Sequence, residues 1–110
     1  MDGNGIDKTA RKEGYIREAA AYFVALHSNR TSLITVTRVE ISKEGKEAKI
    51  FISVLPEEKE ADAIDFLKRQ RGAFREYLGE KVKSYPLPYV DFLIDVGEKN
   101  RQRLEEISKK

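Results

Sequence analysis

Apolar residues recur at three- and four-residue spacing early in the chain, at Ile16, Ala19, Ala20, Phe23 and Leu26. That spacing puts them on one stripe of a helix, which reads from about Lys8 to His27 with Asp7 as its N-cap. Gly14 weakens it locally by up to about 1 kcal/mol relative to alanine, and Ser28-Asn29-Arg30 reads as a loop. From Ser32 to Ile41 the period drops to two. Leu33, Thr35, Thr37, Val39 and Ile41 fall on one face, with Ile34, Val36, Arg38 and Glu40 on the other. This β-branched run predicts a strand with one better-buried face. After a polar turn at residues 42–47, a second strand alternates Ala48, Ile50, Ile52 and Val54 against Lys49, Phe51, Ser53 and Leu55. The short connection makes the two an antiparallel hairpin, which Pro56 ends.

The acidic run Glu57-Glu58-Lys59-Glu60 suits a helix start, where negative charge meets the dipole favourably. Ala61, Ile64 and Leu67 share one face, flanked by Ala63 and Phe66. Gly72 interrupts this pattern, and Phe74, Tyr77, Leu78 and Val82 restart a buried stripe in another short helix. Tyr85-Pro86-Leu87-Pro88 excludes helix and leads into a third strand, Tyr89 to Asp95. The order is α-β-β-α-α-β, an α+β domain with helices on one face of a three-stranded sheet. Residues 1–7 read as a flexible N-terminus, 8–96 as the domain and 97–110 as a charged segment with the character of a frayed helix. In that last segment only Leu104 and Ile107 offer helical contacts.

Composition narrows the chemistry. In 110 residues, 36% are charged and 40% hydrophobic, enough for one modest core under an ion-dense surface. There are no cysteines, which excludes disulfides, thiolate metal sites and thiol catalysis. No apolar run approaches the ~20 residues that cross a bilayer, so a soluble cytoplasmic protein without membrane association is expected. The net charge of +2, from 21 basic and 19 acidic residues, says little by itself; the distribution of charge says more.

The densest basic stretch is Lys68-Arg69-Gln70-Arg71-Gly72-Ala73-Phe74-Arg75, at the joint of two short helices. The second helix begins near Gly72 and Ala73 with backbone N–H groups that lack intrahelical partners, and these favour an anion. Glycine permits close approach of a sugar–phosphate backbone, and Arg69, Arg71 and Arg75 can add bidentate phosphate contacts. The alternative is a solvated helix face broken by a glycine. Arg11, Lys12 and Arg17 on the first helix, with Lys81 and Lys83 after the junction, extend the basic surface. Tyr85 and Tyr89 are the more exposed aromatics available for base stacking, although a structural role leads for both. For enzymatic chemistry, the single histidine, His27, lies near a helix end and suits capping or solvent. The pairs Asp91/Asp95 and Asp62/Asp65 suit solvation or capping, and there is no phosphate-binding loop of the G-x-x-x-x-G-K type. No active site, metal or cofactor is read.

Five segments in this order resemble the ribosome-binding factor A family. Thr35-Val36-Thr37-Arg38-Val39-Glu40-Ile41-Ser42 is similar to its first strand and Ala48-Lys49-Ile50-Phe51-Ile52-Ser53-Val54-Leu55 to its second. Arg71-Gly72-Ala73-Phe74-Arg75-Glu76-Tyr77-Leu78-Gly79 resembles its kinked helix pair. Pro88-Tyr89-Val90-Asp91-Phe92-Leu93-Ile94-Asp95 resembles its third strand, and Arg103-Leu104-Glu105-Glu106-Ile107 its closing helical turn. The resemblance implies a type-II KH-like domain, α-β-β-α-(Gly kink)-α-β, in which an alanine–any–glycine kink replaces the RNA-clamping glycine loop. Gln70-Arg71-Gly72 matches that kink, with Gln70 in place of the alanine. It further implies a monomeric, non-enzymatic partner of the small ribosomal subunit and its precursor 16S rRNA, assisting maturation of the 5′ region and growth in the cold. RNA-binding residues are then expected at Lys68, Arg69, Arg71, Gly72, Arg75, Lys81, Arg11, Lys12 and Arg17. A KH-like module for a non-ribosomal RNA, or a protein-interaction domain without RNA, are the competing readings.

Overall fold

The computed structural model describes residues 3–28, 30–81 and 86–108. Asn29, Val82, Lys83 and Tyr85, singled out above, lie outside them. Helix α1 spans Gly3–His27, so it starts before Lys8, and Asp7 lies within it rather than capping it. Its buried stripe is Ile16, Ala19, Ala20, Phe23 and Val24, whereas Leu26 is 59% exposed. Val24 wins because it stands four residues after Ala20 and eight after Ile16, while Leu26 falls at the stripe's edge.

Strands β1 (Leu33–Ile41) and β2 (Glu47–Leu55) form the antiparallel hairpin. Gly45, at φ +77°, takes the left-handed position in their turn, and the Ser42 hydroxyl accepts from the Lys46 and Glu47 N–H groups, both at 3.1 Å. The period-two alternation expected along the whole of β1 fails at Thr37. Val36 pairs with Ile52 but Arg38 pairs with Phe51, so Thr37 is a bulge. The core-facing set is therefore Ile34 and Val36 before the bulge, then Val39 and Ile41 after it. Leu33, expected with Val39, is instead 64% exposed.

A 3₁₀ turn, Glu57–Lys59, leads into α2 (Glu60–Arg69) and then α3 (Arg71–Lys81). The chain returns as β3 (Tyr89–Ile94), parallel to β2, giving a mixed sheet in the order β1-β2-β3. Parallel neighbours need a long crossover, here supplied by α2 and α3. One face of the sheet carries the core: Ala48, Ile50, Ile52 and Val54 of β2 and Val90 and Phe92 of β3 pack against α1, α2 and α3.

Helix α4, Val96–Ser108, closes the described chain. It is a thirteen-residue helix, but Leu104 and Ile107, expected as its contacts, are 65% and 67% exposed. Charge docks it instead. Lys99 reaches Glu57 at 2.8 Å and Glu60 at 3.1 Å, and Arg103 also pairs with Glu57. Those hydrogen bonds from Lys99 and Arg103 hold the Glu57 carboxyl below its ordinary value.

Asp95 joins three elements and is 5% exposed. Its Oδ1 accepts from the Glu98 N–H at 3.0 Å, capping α4. Its Oδ2 accepts from the bulge hydroxyl of Thr37 at 2.6 Å and from Arg38 Nε at 3.3 Å. Burial alone would raise the Asp95 carboxyl, yet Thr37, the Glu98 N–H and Arg38 together hold it below its ordinary value. A carboxylate depressed by folding stabilises the native state above its unfolded pKa of about 3.9, and this contribution fades as pH falls through the native value. Asp95→Ala is expected to cost about 2–4 kcal/mol at pH 7, from a lost cap and lost charge-assisted hydrogen bonds. Urea midpoints measured from pH 7 to pH 2 check this, because the gap between wild type and variant should narrow only below about pH 4.

Candidate nucleic-acid interface

The junction forms because α2 ends at Gln70, whose backbone (φ −93°, ψ 5°) leaves the helical region. Its N–H still donates to the Phe66 and Leu67 carbonyls at 3.1 and 3.0 Å, and its carbonyl accepts from Phe74 N–H at 2.8 Å. The break therefore lies at Gln70, two residues before the glycine expected to cause it. Gly72 is the second residue of α3, has no left-handed φ, and a Cβ built on it would meet nothing within 4 Å. Local geometry does not require glycine there; open space above the backbone remains the property that favours a ligand. Gly72→Ala is accordingly expected to keep or raise stability by up to about 1 kcal/mol, as a thermal melt would show.

The four cations of the junction have different partners. Lys68 Nζ binds Asp91 Oδ1 at 2.7 Å. Arg71 spans the break, donating from Nε to the Lys68 carbonyl at 3.0 Å and from Nη1 to the same Asp91 oxygen at 3.4 Å. Arg75 donates to the Leu87 and Pro88 carbonyls at 2.9 and 3.0 Å, and its guanidinium lies 4.6 Å from the centre of the Tyr89 ring. Among the described residues Arg69 makes a long i,i+4 contact with Asp65, at 3.5 Å, with its side chain 68% exposed. Lys68, Arg71 and Arg75 thus fasten the junction to β3, while Arg69 projects to solvent. Burial would raise the Asp91 carboxyl, but Lys68, the Phe92 N–H and Arg71 hold it below its ordinary value. Toward β3, Lys68 and Arg71 share one carboxylate, Asp91, and Arg75 is held by carbonyls, while Arg69 pairs separately with Asp65.

Of the outlying basic residues, Lys12 stands near the anchors of Arg75, lining one cavity with Leu87 and Pro88. Lys81 lies at the far end of α3, about 15 Å along its axis from Arg71, with its ammonium 5.4 Å from the Tyr77 ring. Lys12 lies near the β1–β2 turn, its Nζ 3.5 Å from where a Gly45 Cβ would stand. Arg11 and Arg17 are exposed, but their six-residue separation turns them about 120° apart around α1. Sequence reasoning missed the structural duties of Arg75 and Asp91. The signal available was the strand alternation, which puts Tyr89 and Asp91 on the face opposite Val90 and Phe92. Among the described residues no group of His, Asp or Glu side chains could hold a metal ion, and no helix is long and apolar enough to cross a membrane.

A three-stranded mixed sheet, helices on one face and a broken helix pair before the last strand define a KH-like α+β domain. The profile of the ribosome-binding factor A family matches residues 8–108, and the chain belongs to that family. The crystal structure of ribosome-binding factor A from Thermus thermophilus superposes with a TM-score of 0.69 at 29% identity, covering 78% of this chain and 94% of that one. A Thermus thermophilus homology model fitted into the cryo-EM map of a 30S–RbfA complex shares the fold at a TM-score of 0.64 and 24% identity, covering 74% of this chain and 88% of that one. The ribosome-binding factor A of Fervidobacterium nodosum is 37% identical over 67 residues, 60% of this chain. The match spans only 54% of that relative's length.

Proposed function

We propose that this chain binds the small ribosomal subunit through its RNA and assists maturation of the 5′ region of precursor 16S rRNA. Membership of the ribosome-binding factor A family carries this reading, and a relative has been fitted into a 30S complex. The exposed Arg69 and the open backbone at Gly72 support the RNA contact. The protein acts without catalysis, as a cytoplasmic monomer. It binds one conformation of the immature rRNA more tightly than others and so shifts its population, which needs only differential affinity. Contacts are mainly to phosphate and to RNA shape, so affinity falls as salt rises.

Co-sedimentation with purified small and large subunits, in the presence of excess bulk RNA and across a salt series, tests the reading. Retention on small subunits against bulk-RNA competition is expected, with steep loss at high salt. Equal distribution among all RNAs would favour a KH-like module for non-ribosomal RNA. Salt-independent binding, or none, would remove RNA from the mechanism.

A further inference from the structure

We propose that Tyr89 is a stacking platform for one unpaired nucleobase of the bound RNA; this rests on the RNA-binding reading above. Tyr89 opens β3 on the sheet face away from the core and is 70% exposed, more than any other large apolar side chain among the described residues. An isolated exposed tyrosine is ordinary, but this one is anchored at its backbone and backed at its ring. Its backbone N–H donates to the Lys46 carbonyl at 2.8 Å. The Arg75 guanidinium lies 4.6 Å from the ring centre and is itself fixed by the carbonyls of Leu87 and Pro88. Arg75, held through its Nε–H and one Nη2–H, acts as a positioning residue that backs one face of the ring, and the ring stays 70% exposed.

A ring ordered before binding loses little entropy when a flat ligand stacks on it, and every base offers a π face. The uncharged π face of the ring itself recruits a base rather than a phosphate at this point. Glu47 stands opposite Tyr89 in the β2–β3 register and repels phosphate. Asp91, two residues along the same strand face, is neutralised by Lys68 and Arg71. Beyond them, at the junction, Arg69 and the first turn of α3 can take the adjoining phosphates. The ligand is thus a single-stranded segment, its base on Tyr89 and its backbone running toward Gly72.

The chain contains no tryptophan, so Tyr89→Trp supplies one local fluorophore. Titration with a mixed-sequence single-stranded RNA oligonucleotide is expected to quench it saturably, and a duplex of the same sequence to quench it much less. Tyr89→Leu should weaken single-strand binding about 5- to 100-fold, with Tyr89→Phe within about twofold of wild type and both variants melting like wild type. An unchanged affinity for Tyr89→Leu, or a silent tryptophan while RNA binds, would overturn the proposal and leave the RNA-binding reading intact. Loss of small-subunit binding by Tyr89→Leu with a tryptophan silent toward RNA would assign the ring to a protein contact instead. If wild type bound no RNA at all, the underlying reading would fall, and this proposal with it.

Discussion

Phe74→Ala is expected to destabilise the domain by about 3–5 kcal/mol, the cost of deleting a buried aromatic and leaving a cavity. Phe74 is fully buried and meets two rings edge-on, Phe23 of α1 at 5.2 Å and Phe92 of β3 at 5.9 Å. It thereby ties the first turn of α3 to both the long helix and the returning strand, and such aromatic pairs add to the burial energy itself. For a domain of this size the midpoint of thermal unfolding should drop by roughly 12 °C or more, a large part of the 5–15 kcal/mol that typically separates folded from unfolded. Phe74→Leu should cost less than half as much, because most of the volume is restored. Urea unfolding of the three proteins decides it. A loss below about 1 kcal/mol for the alanine variant would mean that α3 is not anchored through this ring. Because Phe74 follows Gly72 by two residues, its loss should also loosen the junction, visible as faster amide exchange there before global unfolding.

The cores of these elements were legible in the sequence because each presents a clear period. Ile50, Ile52, Val90 and Phe92 lie where alternation placed them, and Ile16, Ala19, Ala20 and Phe23 where helical spacing placed them. The Thr37 bulge was not read, although its trace is there. Ile34 and Val36 are two apart, Val36 and Val39 three apart, and Val39 and Ile41 two apart again. An apolar set that changes phase by one residue in mid-strand is what an inserted residue looks like. The docking of α4 was also within reach, since Asp95 followed three residues later by Glu98 is a helix-start pattern. Its ion pairs to Glu57 and Glu60 join residues about forty positions apart, and no local pattern encodes them.

The junction shows why charge density alone misleads. Four cations in eight residues looked equivalent, but helical geometry turns Lys68 and Arg71 toward Asp91 of β3 and Arg75 toward the Leu87 and Pro88 carbonyls just before it. Arg69 points elsewhere. Gly72, the most visible break in the sequence, is not where the helix breaks; Gln70 is. The family resemblance implied a pair of short helices before a proline-led strand, and α2, α3 and β3 stand in that order. The division of labour among the cations depends on what β3 presents to each.

The charge-reversal pair Arg69→Glu/Arg71→Glu is expected to weaken RNA binding by about a hundredfold or more. Hydrogen bonds to charged groups contribute about 1.5–3 kcal/mol each, and two lost contacts at the lower figure already amount to two decades. The two positions should not behave alike. Arg69→Gln removes an exposed cation that makes a long contact to Asp65, so it should lower the salt dependence of single-strand binding by about 0.7 in log–log slope while leaving the melting temperature unchanged. Arg71→Gln removes the clasp between the Lys68 carbonyl and Asp91, so it should weaken binding and also cost about 1 kcal/mol of stability. Measuring affinity and melting for both single variants separates a phosphate contact from a clasp. If Arg69→Gln left affinity and salt slope at their wild-type values, the projecting arginine would be an ordinary solvated side chain, and the anion-binding capacity of the junction would rest on Arg71 and the first-turn N–H groups of α3.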